Sequence, residues 1–277
     1  MIVAVAGGKG GTGKTFVSTS LAVVKKSLRF LDCDVEEPDA HIYLRPAFRR
    51  WSNVSITTPL VRAWKAKDPG KLKEAADFCR YNALAFVRGK LIVFEELCTG
   101  CGGCFKVCPD GSLIEKEQVV GVVKDGAARD GIEFVMGELK VGKQRTVRVI
   151  EKVRSAAGES GDVLIDCPPG SGRPALAAMR GSDFCVLVTE PTPFGLHDLA
   201  ENIELLGLLG IPAGVVLNRS GGTYRGVETF CRDNGIPVLL EIPFTLETAR
   251  SSADGKTLPD IDPAWSDKLA AVWNRIN

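Results

Sequence analysis

The chain has 277 residues, of which 45% are hydrophobic and 25% charged. This composition is typical of a globular protein and excludes a disordered or fibrous chain. Thirty-five basic and 34 acidic residues leave a net charge of +1, so no overall field attracts the protein to nucleic acid or anionic lipid. We therefore expect no nucleic-acid partner. The apolar run over residues 1–6 is too short for a signal-peptide core or a membrane span, which favours a cytoplasmic protein.

The first predicted elements are a strand over residues 2–6, a glycine-rich loop and a helix over residues 15–26. Further short apolar runs predict strands over 29–33, 162–167, 184–189, 213–218 and 238–242. Helical patterns lie between them, over 196–209 and 224–234. Strands that alternate with helices predict an α/β fold in which a mostly parallel sheet is covered by helices on both faces.

Residues 53–148 interrupt this alternation. They contain five of the nine cysteines and only short apolar runs, such as 83–87 and 91–94. We interpret them as a small inserted α+β domain, and residues 1–52 and 149–277 as the α/β domain that surrounds it in sequence.

The glycine-rich loop matches a phosphate-binding motif. Residues 8–15 read G-K-G-G-T-G-K-T, which fits G-x-x-x-x-G-K-[ST], and they lie between a predicted strand and a predicted helix as that motif requires. Backbone N–H groups of such a loop bind nucleotide phosphates, the lysine reaches the β and γ oxygens, and the hydroxyl binds Mg²⁺. The predicted nucleotide-binding residues are Gly8, Gly10, Gly11, Thr12, Gly13, Lys14 and Thr15.

A second lysine, Lys9, lies inside the loop. With it, the loop resembles the deviant Walker A motif of the MinD/ParA/nitrogenase iron protein family of ATPases. The resemblance implies ATP as the nucleotide and a homodimer that encloses it, with Lys9 reaching the phosphates bound by the partner protomer. The alternative is that Lys9 is a solvated loop charge.

Two aspartates at predicted strand ends fit the same family. Residues 31–39 resemble its first switch segment, which implies that Asp34 orients the attacking water and helps to place Mg²⁺. Residues 166–170 resemble its second switch segment, with Asp166 holding Mg²⁺ through water and Gly170 near the γ-phosphate. The alternative is that these aspartates simply cap strand ends. The implied activity is Mg-dependent ATP hydrolysis.

Two later positions correspond to the base-binding part of the family. The resemblance implies that Asn218 reads the adenine edge and that Pro243 flanks the base. An asparagine after a strand can also be a simple turn former.

The cysteine run Cys98-x₂-Cys101-x₂-Cys104-x₃-Cys108-Pro109 matches the ligand spacing of bacterial ferredoxins with 4Fe–4S clusters. Glycines between these cysteines would let backbone amides point at the sulfurs. Two alternatives are a zinc site and unliganded core cysteines. A zinc ribbon, however, needs two separated Cys-x₂-Cys pairs.

The insertion resembles the ferredoxin domain that some MinD-like ATPases carry. In two-cluster ferredoxins the fourth cysteine of each run binds the other cluster. Cys79 resembles the last cysteine of a first run, whose other three positions hold Pro69, Leu72 and Ala75. The resemblance therefore predicts one 4Fe–4S cluster, bound by Cys79, Cys98, Cys101 and Cys104. The alternative is that Cys108 replaces Cys79 as the fourth ligand.

Three functions remain open. The first is an ATPase whose hydrolysis in a homodimer controls electron transfer to a redox partner. The second is a carrier that delivers an iron–sulfur or other metal cluster to an acceptor protein. The third is a regulatory or positioning ATPase, which would need a membrane-seeking helix over residues 265–276. That segment carries few cations, so we expect it to pack against the sheet and not to bind a membrane.

Overall fold

A computed structural model describes residues 1–62, 68–143, 145–158 and 160–276. The chain forms two compact units. The first contains Met1–Ser52, Val123–Glu138 and Thr146–Asn277, and the second contains Asn53–Val122 and Leu139–Arg145. The predicted insertion, residues 53–148, differs from the second unit in residues 123–138 and 146–148, which are part of the first unit.

Strands and helices alternate through most of the first unit, and the two units together have the following elements. The strands are β1 Ile2–Ala6, β2 Arg29–Asp32, β3 Ala47–Val61, β4 Leu84–Val87, β5 Lys90–Val93, β6 Leu113–Ala127, β7 Glu133–Leu139, β8 Val163–Asp166, β9 Phe184–Thr189, β10 Ala213–Ser220 and β11 Val238–Pro243. The helices are α1 Lys14–Lys25, α2 Ala40–Leu44, α3 Pro69–Phe78, α4 Gly103–Val107, α5 Thr146–Arg154, α6 Arg173–Met179, α7 Pro193–Leu209, α8 Gly226–Asp233, α9 Leu246–Ala253, α10 Leu258–Ile261 and α11 Trp265–Ile276.

Nine strands form one sheet in the order β11-β10-β9-β1-β8-β2-β7-β6-β3. The pairings of β1 with β8 and β9, of β2 with β7 and β8, and of β10 with β9 and β11 are parallel. This confirms the predicted α/β fold with a mostly parallel sheet. The strands β3, β6 and β7 were not predicted, because the sequence analysis found only short apolar runs and no long βα unit in residues 53–148.

Parallel register brings the acidic strand ends together. Asp166 at the end of β8 is opposite Val5 in β1 and Asp32 in β2. Because the carboxyl ends of parallel strands share one edge of the sheet, the phosphate loop after β1 and both aspartate segments start from the same place.

The last helix, α11, has its apolar residues in the core of the first unit. Leu269, Val272, Trp273 and Ile276 are buried, and the indole N–H of Trp273 donates to the carbonyl of Leu21 at 3.0 Å. The helix thus packs inside the unit, as the sequence analysis expected. Among the described residues, no helix has both the length and the apolar character needed to cross a membrane.

The second unit has its own small core. The hairpin of β4 and β5 pairs Leu84 with Val93 and Phe86 with Leu91, which places these side chains on one face. That face packs with buried residues of α3 and neighbouring segments, namely Leu72, Ala75, Cys108 and Leu113.

Candidate functional site

The phosphate loop has the backbone that its glycines predict. Gly11 and Gly13 have φ angles of +80° and +90°, in the left-handed region that favours glycine. A Cβ at Gly13 would lie 2.2 Å from the amide nitrogen of Asn218, so a side chain there would collide with it. Helix α1 starts directly after the loop, at Lys14. Its N-terminus therefore adds partial positive charge where phosphates would bind.

A cavity of about 590 Å³ opens beside this loop. Its lining combines the loop with both predicted switch segments and includes Gly10, Gly11, Gly13, Lys14, Thr15, Asp34, Glu36, Glu37, Pro168 and Pro169. A second cavity of about 140 Å³ also borders Gly13 and is lined by Asn218, Arg219 and Pro243. The predicted phosphate and base residues therefore lie around neighbouring cavities in the first unit.

The two loop lysines have different environments. Lys14 is 5% exposed, and its ammonium donates to the carbonyl of Lys9 at 3.2 Å inside the loop. The ammonium of Lys9 lies 6.0 Å from the ring centre of the exposed Phe194, and Lys9 itself is exposed. Lys14 is thus directed at its own loop, whereas Lys9 is presented to the surface.

Three aspartates gather at the sheet edge. Asp32 and Asp166 are fully or almost fully buried, and burial together with their mutual proximity raises the pKa of Asp32. Burial also raises the pKa of Asp166, although Thr15, Lys14 and Ser18 act in the opposite direction. Burial and the nearby Asp166 raise the pKa of Asp34 to about 7. The site therefore concentrates negative charge that a cation would relieve.

Magnesium fits this arrangement. Both carboxylate oxygens of Asp166 are buried, and no donor in the described part of the chain meets them with full hydrogen-bond geometry, although the nearby hydroxyls of Thr15 and Ser18 lower the pKa of this carboxyl. Buried carboxylate oxygens without partners are costly unless a donor or a cation satisfies them. Mg²⁺ typically takes one or two carboxylates together with nucleotide phosphates and water. Asp166, Asp34 and the hydroxyl of Thr15 are the groups that would hold it.

Asp32 has a structural role that the sequence analysis did not assign. Its two carboxylate oxygens accept hydrogen bonds from the backbone N–H groups of Asp34 and Ala40, each at 3.2 Å. It thereby shapes the segment that carries Asp34.

Gly170 and Asn218 both touch the phosphate loop. The N–H of Gly170 donates to the carbonyl of Gly7 at 3.0 Å. The side-chain amide of Asn218 donates to the carbonyl of Thr12 at 2.8 Å, and its oxygen accepts from the N–H of Arg219. Asn218 lies within β10 and fastens the loop, so it is not a turn former. Its predicted contact with adenine stays a prediction.

Sequence reasoning missed several residues around the nucleotide cavity. Asp198 in α7 packs closely on the loop, because a Cβ added at Gly8 would lie only 2.0 Å from the Cβ of Asp198. The hydroxyls of Tyr43 and Ser252 share a hydrogen bond of 2.9 Å at the cavity wall. Thr146 donates to the carboxylate of Glu36 at 2.6 Å. No short motif marks these contacts, because each joins residues far apart in the chain.

The second unit contains a different kind of cavity, of about 320 Å³. Four cysteines from two separate segments line it: Cys79, Cys98, Cys101 and Cys104. Most of the remaining lining is apolar or glycine, including Phe78, Tyr81, Gly102, Gly103 and Phe105. The described structure thus brings together all four cysteines of the first ligand set predicted above.

The backbone around these thiols is held in place. Arg145 donates from its guanidinium to the carbonyls of Cys98 at 3.0 Å and Glu96 at 2.6 Å. Gly100 has φ +73°, and a Cβ there would lie 3.0 Å from Cβ of Ile56. The loop between Cys98 and Cys101 is therefore fixed on both sides.

The thiols influence one another. Burial raises the pKa of Cys98, and Cys101 and Cys79 raise it further, whereas the N–H of Gly100 and the charge of Arg145 lower it. Burial and the neighbouring Cys98 and Cys101 raise the pKa of Cys104 to about 11. Cys98 and Cys104 would therefore lose their protons more readily when a cation or cluster binds.

Cys108 has a separate environment. It is 1% exposed, and its thiol donates to a carboxylate oxygen of Asp110 at 3.3 Å. It packs with Leu72 and Ala75, two of the positions at which a first ferredoxin run would have cysteines. A hydrophobic core therefore occupies the region where those residues meet.

The other four cysteines are buried in the first unit: Cys33, Cys167, Cys185 and Cys231. Burial raises the pKa of each of these thiols. They are structural thiols of low reactivity.

A single metal ion has no ready-made site. Within the described ranges, no group of three or more His, Cys, Asp or Glu residues converges closely enough to hold one ion. The four-cysteine cavity still fits a larger group, because each cysteine of a cubane cluster binds a different iron and the four sulfurs need not meet at one point.

The fold and the loop together define an α/β nucleotide-binding protein with a phosphate loop. Residues 3–258 match the family described as the CobQ/CobB/MinD/ParA nucleotide binding domain. The chain belongs to this family, which confirms the resemblance to MinD and ParA.

Similar proteins extend over different parts of the chain. The uncharacterized protein MJ0579 of Methanocaldococcus jannaschii is 29% identical over 226 residues, which cover 80% of this chain and 81% of that protein. The iron-sulfur cluster carrier protein of the same organism is 27% identical over 135 residues, 43% of this chain and 47% of its own. The structure of the septum site-determining protein MinD complexed with Mg-ADP, from Pyrococcus horikoshii, has a TM-score of 0.60 at 18% identity and covers 100% of this chain and 96% of that one. At this identity the likeness concerns the fold.

Proposed function

We propose that the protein is a Mg-dependent ATPase that acts as a homodimer, carries one 4Fe–4S cluster in its second unit, and couples ATP hydrolysis to electron transfer to a partner protein. The observation that carries this proposal is the joining of Cys79 with Cys98, Cys101 and Cys104 around one cavity, in a chain with a phosphate loop. All nine cysteines are free thiols, which fits a reducing compartment such as the cytoplasm.

The loop and the aspartates supply the chemistry of hydrolysis. Lys14 and the loop amides would bind the β and γ phosphates, while Thr15 and Asp166 hold Mg²⁺. Asp34 lies on the same cavity and would orient the attacking water. Gly170 contacts the loop backbone, so its segment can respond to the γ-phosphate.

A homodimer is supported by the position of Lys9. Its side chain is exposed next to Phe194, which is 76% exposed, whereas Lys14 is buried and donates a hydrogen bond within its own loop. Lys9 and the ring of Phe194 are therefore both available for contact with a second copy of the chain. In such a dimer the ammonium of Lys9 would act on the nucleotide phosphates bound by the partner protomer.

The four cavity cysteines would hold the cluster. When bound, a 4Fe–4S cluster supplies transfer of single electrons. Cys108 is a poor ligand candidate because its thiol is directed to Asp110 and is enclosed by Leu72 and Ala75. This environment favours Cys79 over Cys108 as the fourth ligand.

A cluster carrier is the second candidate. Cys101 is exposed, unlike the other three cysteines of the cavity, which are partly buried. An exposed ligand favours exchange with an acceptor protein. The similarity to an iron-sulfur cluster carrier protein points in the same direction.

Low-temperature EPR of anaerobically purified, dithionite-reduced protein tests the proposal, with spectra recorded without nucleotide and with Mg-ATP. We expect one 4Fe–4S signal per chain that changes with Mg-ATP. A signal that ignores Mg-ATP, together with transfer of iron and sulfide to an added apo-ferredoxin, would favour the carrier. Protein that hydrolyses ATP but never holds iron would overturn the cluster proposal.

A further inference from the structure

One hydroxyl in the four-cysteine cavity has no hydrogen-bond partner among the described residues. Thr99 lies between Cys98 and Cys101 and lines this cavity. Its side-chain oxygen is buried and makes no hydrogen bond within the described residues. An unpaired buried hydroxyl is costly, and native proteins rarely keep one without a reason.

The neighbours of Thr99 explain where the hydroxyl can donate. Cys98 and Cys101 are the thiols nearest to Thr99 in sequence, and both line the same cavity. The backbone N–H of Gly100 is close enough to lower the pKa of Cys98, whereas the N–H of Phe105 donates to the carbonyl of Gly102 at 3.2 Å. The cavity wall beyond them is mainly apolar. The sulfur atoms of the four cysteines are therefore the main hydrogen-bond acceptors in this cavity. A sulfur becomes a strong acceptor when it carries negative charge.

We infer that the hydroxyl of Thr99 donates a hydrogen bond to a sulfur of the group bound by Cys79, Cys98, Cys101 and Cys104, and thereby raises its reduction potential; this inference rests on the cluster proposed above. A hydrogen bond to sulfur stabilises the reduced form more than the oxidised form, because the reduced form is more negative. Thr99 would set the potential without being a ligand.

The unpaired hydroxyl also predicts how Thr99→Val changes the thermal stability of the iron-free protein. There the hydroxyl is an unpaired polar group in an apolar wall, so replacing it by a methyl group removes a cost. Thr99→Val should therefore unfold at the same temperature as wild type or higher in the iron-free state, yet carry a cluster that is harder to reduce. A purely structural role for the hydroxyl would instead destabilise the iron-free protein on substitution.

The experiment compares three variants by a potentiometric EPR titration and by thermal unfolding of the iron-free protein. Thr99→Val removes the hydroxyl at constant shape, and Thr99→Ser retains it. Thr58→Val is the matched control, because Thr58 is fully buried in the same unit and its hydroxyl donates to the carbonyl of Lys116 at 3.3 Å.

At the wild-type midpoint we expect the ratio of oxidised to reduced cluster to rise severalfold in Thr99→Val, up to tenfold or 59 mV. Thr99→Ser should match wild type, and Thr58→Val should keep the potential but unfold at a lower temperature. A folded Thr99→Val protein that loses the cluster while Thr99→Ser keeps it also supports the inference.

Two results would overturn it. One is a Thr99→Val cluster with the wild-type potential, and the other is a Thr99→Ser cluster shifted as far as that of Thr99→Val. Either leaves the proposed function standing. Wild-type protein that binds no iron after anaerobic reconstitution with iron and sulfide would instead remove the proposed function and this inference together.

Discussion

The phosphate loop and the four-cysteine cavity solve the problem of holding a charged group in different ways. The loop uses eight consecutive residues, with left-handed glycines, a buried lysine and a helix start. The cavity joins two separate chain segments and is walled mainly by apolar side chains. A site made from one segment is already encoded in a short motif, whereas a site made from two depends on the fold that brings them together.

The largest expected effect is a loss of ATP hydrolysis on substitution of Lys14, and it tests whether the loop and the cavity are separate sites. Replacing it with glutamine removes the buried ammonium, so we expect ATP hydrolysis to fall by about 100-fold or more. Phosphate release at saturating Mg-ATP measures it. The exposed Lys268, which lies over the ring of Trp265, supplies the control Lys268→Gln, which should hydrolyse ATP normally. Iron content should be unchanged in both variants, and loss of iron in Lys14→Gln alone would show that the two sites are not separate.

The next largest effect concerns the choice between Cys79 and Cys108. Cys79→Ala should lose most of its iron, because one of the four proposed ligands is missing. Cys108→Ala should keep its iron and lose about 1 kcal/mol of stability from the small gap left in the core. Iron and sulfide per chain, with urea unfolding, measure both.

A buried cysteine of the first unit provides the control for this pair. Cys231→Ala removes a thiol that is 1% exposed, as Cys108 is, and should leave the iron content unchanged. The ligand assignment would be wrong if Cys108→Ala emptied the site while Cys79→Ala remained loaded.

A smaller effect is expected at Asn218. Asn218→Ala removes the amide that fastens the carbonyl of Thr12, and the expected loss of about 1 kcal/mol corresponds to a five- to tenfold weaker binding of nucleotide. Calorimetric titration with a non-hydrolysable ATP analogue measures the affinity. Asn234→Ala breaks a bond of the same type and length, 2.8 Å to the carbonyl of Phe230, on the surface. Equal weakening in both variants would mean that the contact with the loop is irrelevant.

The smallest effect lies away from both sites, at the start of α10. Asp260 accepts two hydrogen bonds from the guanidinium of Arg129 and one from the N–H of Thr257, and Arg129 holds the pKa of this carboxyl well below its usual value. Because the native carboxyl binds its proton less readily than the unfolded one, its contribution is present above about pH 4 and is lost as the pH falls further.

Asp260→Asn should therefore cost about 1 kcal/mol at pH 7, since the pair is partly exposed, and progressively less as the pH falls below about 4. Urea unfolding at several pH values measures this. A constant difference at all pH values would show that the carboxylate charge is not its source. ATP hydrolysis and iron content should match wild type.

Much of the fold was predictable because buried parallel strands are apolar runs. β1, β8 and β9 are almost wholly buried, and their predicted limits differ from the observed ones by at most one residue. β3 and β6 escaped prediction because much of their surface is exposed and polar. Each is 15 residues long and contains charged side chains together with a proline or glycine, which are typical of loops.

The sites divide in the same way. Lys14, Thr15, Gly10, Gly11 and Gly13 follow from one motif, and the structure places them at one cavity. Asp198 and Tyr43 reach that region through tertiary contacts that no local pattern reports. Thr99 was adjacent to a recognised cysteine, yet only its unpaired hydroxyl distinguishes it from any other threonine.

The core around Cys108 also bears on the order of assembly. Metal-dependent small domains commonly stay unfolded until the metal arrives, because binding energy is their folding energy. Here Leu72, Ala75, Leu84, Leu91 and Leu113 form an apolar core that needs no iron. On the function proposed above, we therefore expect the polypeptide to fold first and to receive iron and sulfide afterwards, so that a shortage of iron leaves a folded chain and not a substrate for proteolysis.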